Sequence, residues 1–185
     1  CRLNSEGMDD LMLGVISKAL PKNVFLQHLL LHDNAITDEG VETLCTALRW
    51  HPSVHSIWLG GNQLSDASAQ HIATLLDRNH NITDVNISNR WPRRTWTELE
   101  QMMHPHITNV GAECFARKLQ KCCGLTSLSL CDQRVRDSGA AFIFKALIPS
   151  RLRTLNLGGN ELTDKSMPHL FDALASNPNL EKLVL

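Results

Sequence analysis

The sequence carries very little net charge and has no long apolar stretch. Its 18 Lys and Arg residues nearly balance its 19 Asp and Glu residues, so the formal charge is −1 and the pI is about 6.8. Whole-molecule attraction to nucleic acid or to a membrane surface needs a clearly basic protein, which this balance excludes. The sequence has no apolar run of roughly eighteen residues and no basic-then-apolar segment at its start. We therefore expect no membrane partner.

The cysteines lack the paired spacing found in secreted repeat proteins. Six are present, scattered over segments with both helical and strand patterns. They are Cys1, Cys45, Cys114, Cys122, Cys123 and Cys131. Unpaired cysteines favour a reducing compartment, so we predict an intracellular, cytoplasmic location.

Catalytic and metal-binding motifs are also missing. The sequence contains no Gly-x-Ser-x-Gly elbow, no P-loop and no His-Glu-x-x-His motif. Nine histidines are present, but His28 and His32, on one face of a predicted strand, would lie about 13 Å apart, too far to share an ion. We predict a protein that is not an enzyme and that holds no cofactor and no metal.

One short pattern recurs along the chain. Its clearest copy, LRTLNLGGNELTD, runs from Leu152 to Asp164, and related copies begin at Leu26 and Val54. A degraded copy, LTSLSLCDQRVRD, begins at Leu125. The six copies start at Leu26, Val54, Ile82, Leu125, Leu152 and Leu180. Such self-similarity at a fixed period indicates a repeat solenoid, in which each unit buries its apolar face against the next.

One interval between copies is longer than the others. Ile82 and Leu125 are 43 residues apart, whereas the other intervals are 27 or 28 residues. We therefore predict an insertion at about 91–105, where Thr95 and Glu98 have capping-box spacing and indicate a short helix. The predicted units are 1–25, 26–53, 54–81, 82–124, 125–151, 152–179 and 180–185.

The pattern Leu-x-x-Leu-x-Leu-x-x-Asn-x-Leu resembles the leucine-rich repeat, in its long ribonuclease-inhibitor-like form. The resemblance implies an α/β solenoid, or horseshoe, with a parallel β-sheet on the concave face and helices on the convex face. It also implies a structural ladder of side-chain amides at Asn34, Asn62 and Asn160, with Gln133 as a longer amide and Arg90 as a departure beside the insertion. Because the chain begins and ends inside a unit, we expect a piece of a longer array or multidomain protein.

The segments between the strands have the apolar spacing of amphipathic helices. Thr37, Ser65 and Thr163 stand where each helix would begin, and their hydroxyl groups are suited to cap free backbone N–H groups. We expect the helices to bury Leu44, Ala47, Leu48, Ile72, Leu75, Leu76, Phe115, Leu119, Ile143, Leu147, Leu170 and Leu174.

The residues between the buried leucines should form the concave surface. Trp58 stands in this set with small neighbours, Ser56 and Gly60, so we expect an uncovered aromatic ring within a polar rim, the usual pattern of a binding hot spot. The predicted protein-binding residues are His28, Leu30, His32, Ser56, Trp58, Asp84 and Asn86. The alternative is that another segment of the full protein covers Trp58.

A second candidate surface is basic and lies at the edge where strands lead into helices. It comprises Arg90, Trp91, Arg93, Arg94 and Trp96 from the insertion, with Arg134 and Arg136 from the next unit. Arginines interleaved with tryptophans suit an acidic protein tail or a nucleic-acid backbone. The alternative is a solvated loop whose tryptophans attach it to the solenoid.

The resemblance implies a non-enzymatic scaffold that binds a protein partner through the concave face and the inserted loop. Long-repeat family members include the ribonuclease inhibitor, nucleotide-binding innate immune receptors, actin-capping proteins and the Ran GTPase-activating protein. Two alternatives follow from these members: a GTPase activator similar to the Ran-directed protein, and a ligand-sensing or autoinhibitory arm of an innate immune receptor. Association with the cytoskeleton is a further hypothesis from the actin-capping members.

Overall fold

The computed structural model describes residues 3, 4, 6–89, 104–121 and 124–185. In these residues, short strands alternate with α-helices. The strands are β1 (His28–Leu30), β2 (Ser56–Trp58), β3 (Asp84–Asn86), β4 (Ser127–Ser129), β5 (Thr154–Asn156) and β6 (Lys182–Val184). The helices are α1 (Asp10–Ala19), α2 (Asp38–Leu48), α3 (Asp66–Leu76), α4 (Asn109–Leu119), α5 (Arg136–Leu147) and α6 (Met167–Ser176), with short 3-10 turns at Leu20–Lys22 and Asp164–Ser166. Each described helix is too short or too polar to cross a bilayer.

The strands form one parallel sheet in chain order, from β1 to β6. Equivalent residues of successive copies pair directly, so that Leu29 stands beside Ile57, Ile57 beside Val85 and Val85 beside Leu128. The predicted α/β leucine-rich solenoid is confirmed. The helix expected within the insertion falls at 95–103, outside the described residues.

The sheet lies on the inner side of the curve for a geometrical reason. Neighbouring strands are about 4.8 Å apart, whereas packed helices need about 8–10 Å between their axes. Each described helix packs on the helix of the next unit, from α1 against α2 to α5 against α6. Each unit is therefore narrower on its strand side than on its helix side. A stack of such units curves, and the strands lie on the inner side of the curve.

The core is a column of leucine-type side chains between the sheet and the helices. Leu29, Ile57, Val85, Leu128 and Leu155 at the middle strand positions are all fully or almost fully buried. Most of the expected helix positions are buried in the same way.

Leu174 contradicts the prediction of burial. Its side chain is 47% exposed, whereas the equivalent Leu48 and Leu147 are fully buried. Those two residues lie in helices that pack against a following helix, but no described helix follows α6. The position is therefore buried by the neighbouring unit and not by its own.

Side-chain amides connect the turns that follow the strands. Asn62 is buried, its Oδ1 accepts from the Ile36 N–H at 3.1 Å, and its Nδ2 donates to the carbonyls of Leu31 and Leu59 at 2.9 and 2.8 Å. Asn34 and Asn160 make equivalent bonds to the preceding unit. Buried backbone groups that would otherwise lose hydrogen bonds to water are thus satisfied by the adjacent copy.

Gln133 performs the same task across the insertion. Its Nε2 donates to the Ile87 carbonyl at 2.7 Å, and its Oε1 accepts from the Ile107 N–H at 2.8 Å. The regular turn conformation is therefore present at Ile107, and Thr108 caps α4. Arg90, the expected departure from the ladder, lies outside the described residues.

A second line of hydrogen bonds runs along the helix N-termini. Asp38 Oδ1 accepts from the Ser65 N–H at 2.9 Å, and its Oδ2 accepts from the Ser65 hydroxyl at 2.5 Å. Asp66 binds Thr108 in the same way, and Asp137 binds Thr163. The capping roles predicted for Thr37 and Ser65 are confirmed, and Thr163 caps the 3-10 turn that leads into α6 and not α6 itself. Each capping residue is itself held by the carboxylate of the preceding unit.

The amide ladder generates a stability prediction. Asn62→Ala should lower the free energy of unfolding by about 2–4 kcal/mol, because it leaves buried donors and acceptors without partners. Urea unfolding measures the effect, and Gln63→Ala is the matched control because the Gln63 side chain is exposed. Equal losses for the two variants would show that the ladder contributes nothing specific.

The hydrogen bonds that the aspartates accept at the helix N-termini make the free energy of unfolding depend on pH. Burial acts to raise the pKa of Asp38, but hydrogen bonds from Ser65 and Ser68 outweigh it and hold that pKa below its ordinary value. The resulting stabilisation is complete above the unfolded pKa, about 3.9, and is lost as pH falls through the lower folded pKa.

Asp38→Asn should therefore cost about 1–2 kcal/mol near neutral pH, because this partly exposed carboxylate forms charge-assisted hydrogen bonds. The difference from the wild type should shrink below about pH 4. Urea titrations at several pH values test it. Asp172→Asn, on the exposed surface of α6, is the control, and a gap that does not change with pH would contradict the assignment.

Candidate protein-binding site on the concave surface

The first and third residues of every strand point away from the core. Successive side chains of a strand alternate between faces, and the middle residues are buried, so their neighbours form the concave surface. Trp58, the third residue of β2, pairs with Leu30 on one side and Asn86 on the other. The strand pairing thus brings the predicted residues of three repeats together on one surface.

Trp58 is held in place more firmly than the sequence predicts. Its indole Nε1 donates to Asp84 Oδ2 at 2.7 Å, and the His32 ring lies with its centroid 6.3 Å from the indole at an interplanar angle of 42°. The side chain is half-buried, where an uncovered ring was expected. Asp84 and His32 belong to the neighbouring repeats and lie diagonally across from Trp58. They supply the side-chain contacts that Ser56 and Gly60, its small neighbours along the strand, do not.

Ser56 differs from its prediction as a contact residue. Its side chain is only 7% exposed, and its Oγ lies 3.0 Å from His28 Nδ1. His28 itself is exposed at the edge strand. Ser56 therefore positions His28 and presents little surface of its own.

A cavity of about 660 Å³ opens over this part of the sheet. Leu30, His32, Trp58 and Asn86, four of the residues predicted for protein binding, line it. The structure adds Asp33, Ser129, Asp132 and Asn156 to the lining. Trp58 therefore borders a concave site that spans several repeats.

Asp33 and Asp132 could have been found from the repeat alignment. Each lies three residues after the end of a strand, β1 for Asp33 and β4 for Asp132. Their φ values are 58° and 56°, and Gly61 and Gly159 stand at this position in other copies. Aspartate is among the few residues other than glycine that tolerate this left-handed backbone. The signal was a non-glycine residue at a glycine position, which strand-based reasoning overlooks because the residue lies outside the strand.

The second candidate surface is only partly described. Arg90, Trp91, Arg93, Arg94 and Trp96 lie outside the described residues. Arg134 is half-buried, and Arg136 begins α5 with its Nε 3.3 Å from Glu161 Oε2, an exposed ion pair. The charge of Arg136 is thus already matched by a neighbouring carboxylate.

Metal-ligand and nucleophile chemistry finds little support in the described residues. No group of three or more His, Cys, Asp and Glu side chains there is arranged to hold a metal ion. Burial, assisted by the charge of Glu42, raises the pKa of the Cys45 thiol to about 12. Because the thiolate is the reactive form, this cysteine is a packing residue and not a nucleophile.

The repeat geometry agrees with a family comparison. A model described as "Leucine Rich repeat" matches residues 22–45 and 151–167. The first range contains β1 and the second contains β5. The chain is a leucine-rich repeat protein. The ribonuclease-inhibitor-like subtype is a finer assignment and stays a proposal.

Similar sequences occur in larger proteins with leucine-rich repeats. The repeat chain is 28% identical over 189 residues to "NACHT, LRR and PYD domains-containing protein 14" of Homo sapiens, covering 100% of this chain and 16% of that protein. It is 30% identical over 175 residues to protein 5 of the same name series in Bos taurus, covering 94% and 15%. For protein 4E of Mus musculus the values are 28% over 164 residues, 80% and 17%. The chain thus spans about one sixth of the length of these relatives.

A solved structure shares the fold of the leucine-rich repeat chain. "Leiomodin-1 Actin-Binding Site 2 (ABS2)" superposes with a TM-score of 0.67 at 21% identity, covering 87% of this chain and 86% of that one. At this identity the likeness shows the architecture alone.

The Trp58–Asp84 contact can be tested without a partner. Asp84→Ala should free the indole, because the carboxylate is its hydrogen-bond acceptor, and the Trp58 indole N–H should then exchange with solvent faster by about tenfold. Nuclear magnetic resonance measures this exchange. Asp33→Asn is the control because it changes another carboxylate of the cavity. Unchanged exchange in Asp84→Ala would mean that packing alone holds the ring.

Proposed function

We propose that this chain is a non-enzymatic protein-interaction module whose partner binds the concave surface around Trp58. The observation that carries the proposal is the placement of Trp58. It is a large, half-buried aromatic side chain, hydrogen-bonded to Asp84, at the border of a 660 Å³ cavity whose other lining residues are mostly of polar types. An aromatic anchor that is already oriented loses little conformational freedom when a partner covers it.

The residues around Trp58 fit the rim of such an interface. Leu30 extends the apolar surface in the neighbouring strand, whereas Asn86, Ser129 and Asn156 supply side-chain donors and acceptors. Protein interfaces combine a small apolar centre with a polar rim in this way. The competing explanation is that another segment of the full protein occupies the cavity, and the experiment below separates the two.

The relatives support a more specific form of this proposal. Their names combine leucine-rich repeats with NACHT and PYD domains, and this chain corresponds to about one sixth of their length. We infer a repeat arm within a longer, multidomain protein, where it would sense a ligand or hold neighbouring domains inactive. Free cysteines at Cys45, Cys114 and Cys131 support an intracellular location. No observation favours the alternative of a Ran-directed GTPase activator.

Trp58→Ala provides the central test. It should weaken binding of a concave-face partner by about 2 kcal/mol or more, because hot-spot aromatics contribute mainly when a partner desolvates them. Fold stability should change by about 1 kcal/mol or less, since the side chain is not fully buried in the free chain. Affinity capture from cells followed by titration of the purified partner gives the first quantity, and thermal unfolding gives the second.

Trp50→Ala is the matched control. Trp50 is 71% exposed, lies beyond the end of α2 and does not line the cavity. Partners of the concave surface should bind this variant normally. If every captured protein binds Trp58→Ala as well as wild type, the proposed site is wrong. If the melting temperature falls sharply while affinity holds, Trp58 serves the fold.

A further inference from the structure

A further surface lies at the edge where the helices lead into the strands. Each of five successive units places one cation there, in or just after the turn that ends its helix, and all five side chains are exposed. They are Lys22, Arg49, Arg78, Lys121 and Arg151, and we call them the basic row. The described residues that line the concave cavity include none of them. The basic row is therefore a separate surface.

The turns that carry the basic row lie side by side. Ser53 Oγ donates to the Leu26 carbonyl at 2.9 Å, which joins the first turn to the second. Asn79 Nδ2 donates to the His51 carbonyl at 3.0 Å, which joins the second to the third. An added Cβ on Gly124 would lie 2.3 Å from a carbonyl oxygen of the third turn. The pairing of β4 with β5 places the fifth turn beside the fourth, so the cations form one line across the units.

The charges of the basic row are not matched within the described part of the chain. None of its five members forms an ion pair with a described carboxylate. Two carboxylates lie in the described turns of this edge, and both already have partners, Asp77 in Lys118 and Glu181 in Arg153. Because the whole chain has a formal charge of −1, this line of unmatched cations is a local feature of one edge.

Arg49 is oriented by an exposed aromatic neighbour. Its guanidinium carbon lies 5.4 Å from the centroid of the Trp50 ring, in a cation–π contact, and the Trp50 side chain is 71% exposed. A guanidinium held over a ring keeps its N–H groups available, and a carboxylate can accept two of them side by side. Trp50 is thus a positioning residue for an anion-binding side chain.

The rest of the edge favours a protein segment over a bilayer or a nucleic acid. Its large exposed apolar side chains stand at the two ends, Val24, Phe25 and Trp50 at one and Ile148 at the other. The described residues of the third and fourth turns, between those ends, are polar or glycine. A membrane surface needs a continuous apolar face, and single-stranded nucleic acid needs aromatic rings along the basic line.

We propose that the basic row binds an acidic, extended segment of a protein partner, with carboxylates at several successive cations. Side chains on one face of an extended segment recur every two residues, or about 6.6 Å. Neighbouring units at this edge have a spacing between that of strands, about 4.8 Å, and that of packed helices, about 8–10 Å. Asp or Glu at alternate positions of the segment therefore matches one cation per unit. This surface adds to the proposed concave site and does not depend on it.

A synthetic peptide tests the chemistry directly. Fluorescence anisotropy measures binding of the purified chain to a labelled peptide of about ten residues in which Glu and Ser alternate. The matched peptide has Gln in place of Glu. We expect the Glu peptide to bind at least about tenfold more tightly and its affinity to fall as salt is added, because exposed charges are screened. Equal affinities for the two peptides, or no binding of the Glu peptide, would overturn the proposal.

Paired variants of the chain test the basic row. Arg49→Gln with Arg78→Gln should weaken binding of the Glu peptide by about tenfold or more. Arg136→Gln with Lys165→Gln removes two positive charges from the opposite edge, at the helix N-termini, and should leave that affinity unchanged. Equal weakening in both pairs would mean general charge attraction and would contradict the proposal.

Thermal unfolding of the same variants addresses the competing explanation. Cations at helix C-termini also interact favourably with the helix dipole, which stabilises the fold and needs no partner. If Arg49→Gln with Arg78→Gln lowers the melting temperature but leaves peptide affinity unchanged, the basic row serves the helices and the proposal fails.

Two variants test the positioning role of Trp50. Trp50→Ala should weaken binding of the Glu peptide by about threefold, and Trp50→Phe should restore most of the loss because a phenyl ring keeps a cation–π contact. A loss that Trp50→Phe does not restore would overturn this role.

Competing polyanions and a concave-face variant complete the test. Vesicles that contain phosphatidylserine and a single-stranded oligonucleotide are measured with the same chain. If either binds more tightly than the Glu peptide, and through Arg49 and Arg78, the assignment to a protein segment is wrong. Trp58→Ala should bind the Glu peptide as the wild type does, so failure of the concave site and failure of the basic row are distinguishable.

Discussion

The structure depends on hydrogen bonds that each repeat cannot make alone. In the turns after β1, β2, β4 and β5, buried N–H and carbonyl groups need partners, and one side-chain amide satisfies its own turn and the preceding one, as Asn62 does for Leu59, Leu31 and Ile36. Leaving such groups unpaired costs about 1–3 kcal/mol each. A unit therefore acquires its native turn only when its neighbour is present, and the parallel sheet and the helix layer follow from that stacking.

The aspartates at the helix N-termini fix the far end of the segment that runs from each strand to the next helix. The amide holds the point where the chain leaves the strand, and the aspartate of the preceding helix holds the residue that caps the next helix, as Asp66 holds Thr108. The chain between these two points has little freedom. Because the turn is fixed at both ends, the backbone positions beside it, including Asp33 and Asp132, are set by the fold.

The sequence predicts the periodic features well because they repeat. Leucine spacing, the Asn positions and the capping hydroxyls each recur in several copies, so chance matches are unlikely, and the placement of Trp58 follows from strand alternation. Gln133 was recognisable because its amide can make the same bonds as asparagine from a longer side chain.

Features that depend on contacts between copies were harder to predict. Leu174 is exposed because burial at that position comes from the following helix, and Ser56 is buried and contacts His28 of the previous strand. The hydrogen bonds of the helix N-terminal aspartates reach across about one repeat, as from Asp38 to Ser65. No local pattern in a single copy contains that information.

The one-to-one register of the strands has a mechanical consequence. Each repeat contacts chiefly its neighbours, so a small rotation at one interface leaves the other interfaces intact, and such rotations add along the stack. A change in the curvature of the array would therefore be divided among several interfaces, each of which would move only a little. Groups that are several strands apart on the sheet, such as Asp33 and Asp132, change their separation most when it flexes.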